Sequence, residues 1–243
     1  MQPTHAEVAR TLAAGHLPAT AQIACRAGRF PVRHVTDTHG RVLLLTPRDG
    51  TLAAALTPVD GSGDVALVLD IADVPPTTGG PSTGRVYLAG WAARLDGDQA
   101  RAAALDYADV DAAPDLLDVG DTRLLHRMHV AEIRCDRDGE TFPVDPDEYA
   151  AATPDPLRIV EFDLLADLVG HHRAELDAAV RRHLGPAARA AAGDIVPVRL
   201  DRYGVVLRLG ERLARLAFAR PVRDRHDLAH LLHPMLCPRC ATD

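Results

Sequence analysis

The 243-residue chain contains no lysine and no asparagine. Its 27 basic residues are therefore all arginine, which excludes chemistry that needs a side-chain amine: Schiff bases, a P-loop lysine and the lysine of kinases. Aromatic residues make up only 4% of the chain, so a core must be built from aliphatic side chains and alanine. Cationic excess is lacking too. Thirty-four acidic residues outnumber the basic ones and leave a net charge of −7, which argues against a surface made to neutralise phosphates and predicts no nucleic-acid partner. No apolar run approaches the ~18 residues of a membrane span. The opening MQPTHAEVAR also lacks a basic segment followed by an apolar one, so the expectation is a cytoplasmic chain without a membrane partner. Cysteine is scarce, with four residues at 25, 135, 237 and 240. Cys25 and Cys135 sit in strand-like runs and read as small buried apolar side chains. The C-x-x-C at the end reads as a metal or redox element.

What is present alternates. Thr4 and Glu7 form a T-x-x-E capping box, VARTLAA has helical apolar spacing, and Gly15 stands where a left-handed cap belongs. ATAQIACR, FPVRHVT and RVLLLT follow as strands joined by tight turns, and Asp49 is placed to cap a brief helix over TLAAAL. VALVLDIA and RVYLAGWAARL are strands separated by the loop PPTTGGPSTG; a helix over residues 98–108 then leads to the strand RLLHRMHVAEIRC. Six strands with few helices predict a closed or half-closed antiparallel barrel over residues 1–150. The proline-rich DPDEYAAATPDPLR ends it. Residues 157–243 predict a small α+β domain: a helix followed by a helix across FDLLADLVGHHRAELDAAVRRHLG, with His171 and His172 near the start of a helix, then the strands IVPVRLD, GVVLRLG and RLARLAFA, and a closing histidine-rich helix. Both cores are expected to close without the residues beyond Asp224.

The chemistry concentrates in HDLAHLLHPMLCPRC. His226, His230 and His233 fall at i, i+4 and i+7, so a helix places their imidazoles along one side. Three readings stay open. One imidazole, or Cys237 before Pro238, ligates haem iron. Alternatively His230, His233, Cys237 and Cys240 hold zinc through two nitrogen and two sulfur ligands, or the histidines are simply part of a solvated or packed helix. In the first stretch, Arg33 and Arg127 carry forked guanidinium groups suited to carboxylates such as haem propionates. His126 and His129, three apart on a strand, face opposite sides and do not form a metal pair.

The layout resembles the pyridoxamine-phosphate-oxidase-like, FMN-binding split barrel followed by the small domain of haem-utilisation (HugZ-like) proteins. The resemblance is carried by HLPATAQIACRAGRFPVRHVTDTHGRVLLLTPRDGTLAAAL, RVYLAGWAARL, LADLVGHHRAELDAAVRRHL, DRYGVVLRL and LARLAFARPVRDRHDLAHLL. His172 stands at the histidine of the family's Asp-His motif, with His171 where the aspartate would be. Asp201, Tyr203 and Gly204 match the family's turn. Thr46, Arg48 and Thr51 stand where flavin-binding members carry a hydroxyl residue and a lysine, and CDRDGETF stands where haem-degrading relatives have Gly-Phe-Gly.

The resemblance implies an α+β split barrel, a homodimer, haem at the barrel-dimer crevice, and an axial ligand from the C-terminal helix, with His230 the first choice and His226 and His233 the others. It implies haem storage, trafficking or oxygenase-type degradation. Two further classes share this fold: flavin (FMN) or deazaflavin (F420) oxidoreductases, and non-catalytic adaptors that bind glutamyl-tRNA reductase and so regulate haem synthesis.

Overall fold

The structure, a computed structural model, describes residues 1–58, 63–185 and 195–237. The chain divides into two compact units, one of residues 4–74 and 83–154, the other of residues 1–3, 75–82 and 155–243.

The first unit is an antiparallel barrel. Its strands are β1 (Ala19–Ile23), β2 (Phe30–Thr36), β3 (Val42–Pro47), β4 (Val65–Ala72), β5 (Arg85–Leu95), β6 (Arg123–Arg137) and β7 (Glu140–Val144), in the order β3-β2-β1-β4-β5-β6-β7. A β3–β6 pairing closes the first six into a ring. The 15-residue β6 makes this possible, because its outer edge serves two partners in turn. Residues 123–128 pair with β3 and residues 133–137 with β7. Between these stretches the β5–β6 register shifts at Ala89/Gly90. Gly90 is required there: a Cβ would lie 1.9 Å from the His129 carbonyl oxygen.

The all-buried run of β3 has a two-sided cause. Val42 and Leu44 join the barrel interior, while Leu43 and Leu45 meet Tyr107 and Ala103 of α3 (Gly97–Ala108) outside it. A strand covered on both faces loses the usual polar alternation. The interior is completed by α1 (His5–Leu12), with the Thr4–Glu7 capping box in place, and by Tyr149 of α4 (Pro146–Ala151). The short α2 (Thr51–Ala55) has Gly50, not Asp49, at its N-cap and no side-chain cap bond. Two elements lie outside those expected: β7 follows the turn at Asp138 and Gly139, and the proline-rich DPDEYAAATPDPLR contains α4, capped by Asp145. Cys25 is exposed just past β1, at φ 59°, whereas Cys135 is buried and its thiol is pushed up to about 11 by burial.

The second unit is a three-stranded antiparallel sheet, β8 (Ile195–Asp201), β9 (Gly204–Leu209) and β10 (Arg212–Ala217), with α5 (Glu161–His171), α6 (Arg173–Leu184) and α7 (Arg225–Leu236). The two helices expected here meet at His172, which caps the end of α5 and the start of α6. A buried ion pair sits between α5 and β8: Arg199 Nε and Nη2 donate to Glu161 at 2.8 and 3.1 Å, Leu200 N donates to the same carboxylate at 2.9 Å, and Arg158 adds a bond of 2.6 Å. The loop 75–82, between β4 and β5 in sequence, is bound into this unit. Thr77 donates to the Val198 carbonyl at 3.3 Å, and Arg199 Nη1 donates to that of Pro81 at 3.2 Å. Leu228 of α7 is 2% exposed in the core, with Leu231, Leu232, Met235 and Leu236 packed on it. Residues beyond Asp224 are thus part of this core, which the sequence expectation closed without them.

Candidate functional site

Helix α7 begins firmly. The Asp224 side chain accepts from Asp227 N at 2.7 Å, and the Asp227 carboxylate is gripped by Arg220 through two bonds of 2.6 Å and by Arg223 N at 3.0 Å. The Arg220 guanidinium holds that carboxyl well below the usual carboxylate range. At the other end, Arg182 Nη2 donates to the Met235 carbonyl at 2.7 Å, satisfying an end that Pro234 and the chain direction would leave open. The helix is thus fixed at both ends while its histidine side stays in solvent.

The three histidines of α7 part company. His226 and His230, both exposed, bring their Nε2 atoms to 3.0 Å, with ring centroids 4.6 Å apart and planes at 86°. His233 instead lines a groove of about 290 Å³ walled by leucines of α5, β8 and α7, among them Leu164, Leu168, Leu200, Leu228 and Leu232. His172 lines the same groove, with Nε2 3.7 Å from Asp167 Oδ2, and the other oxygen of that carboxylate lies 3.0 Å from His171 Nδ1. Arg225 completes the lining and has no ion pair among the described residues. An apolar slot with two imidazoles and one free guanidinium suits a flat apolar ligand that bears negative charge.

The zinc set finds no support in this arrangement. His230 turns to His226, His233 borders the groove, and Cys240 lies outside the described residues. Among the described residues no three metal-ligating side chains gather at one point. Cys237, half-buried, is the C-cap of α7.

Arg33 and Arg127 belong to the barrel unit. Arg33 donates two bonds to Asp115 at 2.8 and 3.0 Å and one to Asp111 at 3.1 Å. Its fork is already filled by carboxylates. Arg127 is half-buried on β6 opposite Leu43 and Ala93, with Nε unpartnered among the described residues. A barrel pocket of about 550 Å³ is lined by Arg33, Thr46, Thr51, Asp115 and Arg123. The Thr46 hydroxyl is buried there without a partner among the described residues, while Arg48 is turned away to the Gly120 and Asp121 carbonyls. His126 is buried, and desolvation lowers its ring to about 4; His129 is exposed opposite Trp91. Sequence reasoning missed His34, which is buried beneath the same face, also lowered to about 4 by desolvation, with Nε2 unpartnered. His34 and His126 both pair across to Leu44 on β3, so the register puts them on one face. The alternating FPVRHVT could have revealed His34, because it holds an inward position.

A closed barrel whose longest strand leaves the ring to pair with a further strand, joined to a small α+β unit, is a split-barrel architecture. No family model matches the chain, and no curated protein matches it. Among solved structures, it is similar to a haem-binding protein from Mycobacterium smegmatis, at 23% identity over the whole of both chains with a TM-score of 0.70. Weaker likenesses are to Atu2129 of Agrobacterium tumefaciens str. C58, of unknown function (17%, 97% of each chain, TM-score 0.45), and to a FAD-binding protein of M. smegmatis (14%, 53% of this chain and 88% of the other, TM-score 0.35). The likeness to the haem-binding protein, at a TM-score of 0.70, establishes the shared fold. No described helix is long and apolar enough to cross a membrane.

Proposed function

We propose that the chain is a haem-binding protein of the HugZ-like split-barrel type, holding haem for storage, trafficking or degradation. One observation carries this reading: the leucine-walled groove of about 290 Å³ that has His172 and His233 in its lining. The leucines would cover the apolar faces of a porphyrin, and His233, fixed on a doubly anchored helix, would ligate the iron. The role moves from His230 to His233 because His230 is turned toward His226 and away from the apolar lining. Arg225 would meet a propionate, a part for which Arg33 is less suited because Asp111 and Asp115 occupy its fork. Asp167 would hold His172 in orientation, as carboxylates do behind ligating imidazoles. Bound haem would supply iron for oxygen or electron chemistry, and the chain's part is to position it and cover it. The full 100% mutual coverage with a haem-binding neighbour agrees with this reading. We also infer a homodimer, formed through the barrel face around Trp91, which is 46% exposed beside Ile23, Leu67 and Ala89.

Titration of the full chain with haemin tests the binding. A saturable Soret band is expected, and it shifts or is lost in His233→Ala and weakens in Arg225→Ala. A titration identical to that of free haemin, or one unchanged in His233→Ala, overturns the reading. Loss of the band under oxygen and reductant would mark degradation; a stable band would mark storage or trafficking.

A second reading rests on the barrel pocket, where the unpartnered Thr46 hydroxyl offers a hydrogen bond to a phosphate or ring. It corresponds to a flavin or deazaflavin oxidoreductase. FMN or F420 fluorescence quenched by the chain, and restored by Thr46→Val, would favour it. A chain that binds neither haem nor flavin would favour the adaptor of a glutamyl-tRNA-reductase-like partner.

A further inference from the structure

We propose that His226 and His230 form a bidentate site for a divalent transition-metal ion on the solvent side of α7, separate from the haem groove. Two nitrogens each about 2.0–2.1 Å from one ion, at roughly 90–110°, lie about 2.9–3.4 Å apart. The two Nε2 atoms are 3.0 Å apart before any ion is considered. Both rings present the same nitrogen, so their lone pairs can converge on one point. The near-perpendicular planes, 86°, keep the rings from stacking face to face and leave that point open.

The surroundings agree. The nearest carboxylate on the helix, Asp227, is taken by Arg220 and Arg223 and does not pair with either imidazole. The pair is exposed, so the remaining coordination positions stay with water or an external ligand. The backbone between the two residues is regular helix, its first turn capped by Asp224, so binding need not order the chain first. In the metal-free pair one Nε2–H donates to the other Nε2 lone pair. In the chelate both neutral rings carry their hydrogen on Nδ1, and the ion takes the place of the shared proton without net proton release. Imidazole donors select the ions for which nitrogen is preferred, with Cu(II) above Ni(II) and Zn(II).

The test uses the full chain in a Cys237→Ser, Cys240→Ser background, which removes the competing thiolates, titrated calorimetrically with Cu(II), Ni(II) and Zn(II) salts. One equivalent is expected to bind, tightest for Cu(II). His226→Ala and His230→Ala should each weaken it by roughly 100-fold, since loss of one donor removes the intramolecular advantage of the second. His233→Ala and His172→Ala should leave it unchanged. The proposal is overturned if no equivalent binds, or if His226→Ala binds as the parent does. His226→Gln guards against a helix effect: it keeps the polar surface and should lose the ion equally, with an unchanged circular dichroism melt. The haem reading is tested apart from this, because His226→Ala is expected to keep the Soret band while losing the ion, and His233→Ala to do the reverse.

Discussion

The barrel unit and the C-terminal unit treat the same side chains in opposite ways. In the barrel, His34 and His126 are buried with one ring nitrogen each, Nε2 and Nδ1, that finds no partner among the described residues, and they stay neutral because water is excluded. In the C-terminal unit the buried Glu161 and Arg199 are charged and paired with each other, while the histidines of α7 face solvent or an open groove. An imidazole that is buried and unpartnered is a structural element that tolerates only one protonation state. One that is exposed and directed is free to change protonation state or to take up a ligand. Histidine content alone therefore does not locate the site.

Removing one member of the paired set should break this contrast most. Glu161→Ala leaves the buried Arg199 and the half-buried Arg158 without their shared carboxylate and Leu200 N without its acceptor. A loss of about 3–5 kcal/mol is expected, read by denaturant unfolding of the C-terminal unit. An ordinary surface-like loss below about 1 kcal/mol would mean that the pair is not desolvated.

Acid should separate the units by sign. His34 and His126 have ring values lowered from 6.5 to about 4, so the neutral form is the folded one. Their contribution is whole above 6.5 and is lost as pH falls toward 4, amounting to about 2 kcal/mol for each ring by pH 5. Asp155 in the other unit is raised from 3.8 to about 6 by burial. The folded state therefore takes up its proton more readily, and this group adds stability as pH falls from about 6, the gain levelling off below 3.8. Trp91, the sole tryptophan, reports the barrel. Its fluorescence midpoint in denaturant should fall between pH 7 and pH 5, and His34→Leu with His126→Leu should flatten that slope. A midpoint independent of pH would contradict their burial as neutral groups.

The smallest effect is expected at the exposed pair. His226→Ala and His230→Ala should change stability by no more than about 0.5 kcal/mol, since neither ring is packed. A melting temperature lowered by many degrees would mean that the pair supports the fold, and would remove the distinction between the two sets of histidines.

Much of the fold was legible because its signals are local. The capping box at Thr4 and Glu7, the alternating strands and the left-handed Gly15 depend on neighbours in sequence, and each is found. What escaped depends on partners far away. β7 is short and polar, and it is a strand only because β6 runs past the closed ring and offers it an edge. Cys25 follows an apolar strand in sequence yet lies beyond its end. At the site, the i, i+4, i+7 spacing placed three histidines on one helix. It did not show that the third borders the leucine groove, because that depends on where α5 and β8 lie. His172 was singled out only through a family motif, and its place beside His233 is a matter of packing.

The loop 75–82 gives the protein a stitched modularity. The chain leaves the barrel after β4, is fastened by Thr77 and Pro81 to Val198 and Arg199, and returns to the barrel as β5. A gene cut at residue 154 would therefore separate a barrel that still carries a piece of its neighbour, with the carbonyls of Pro81 and Val198 both missing their partners. In engineering terms the two units are not interchangeable cassettes. A swap of either would have to carry this eight-residue stitch along with the sheet that holds it.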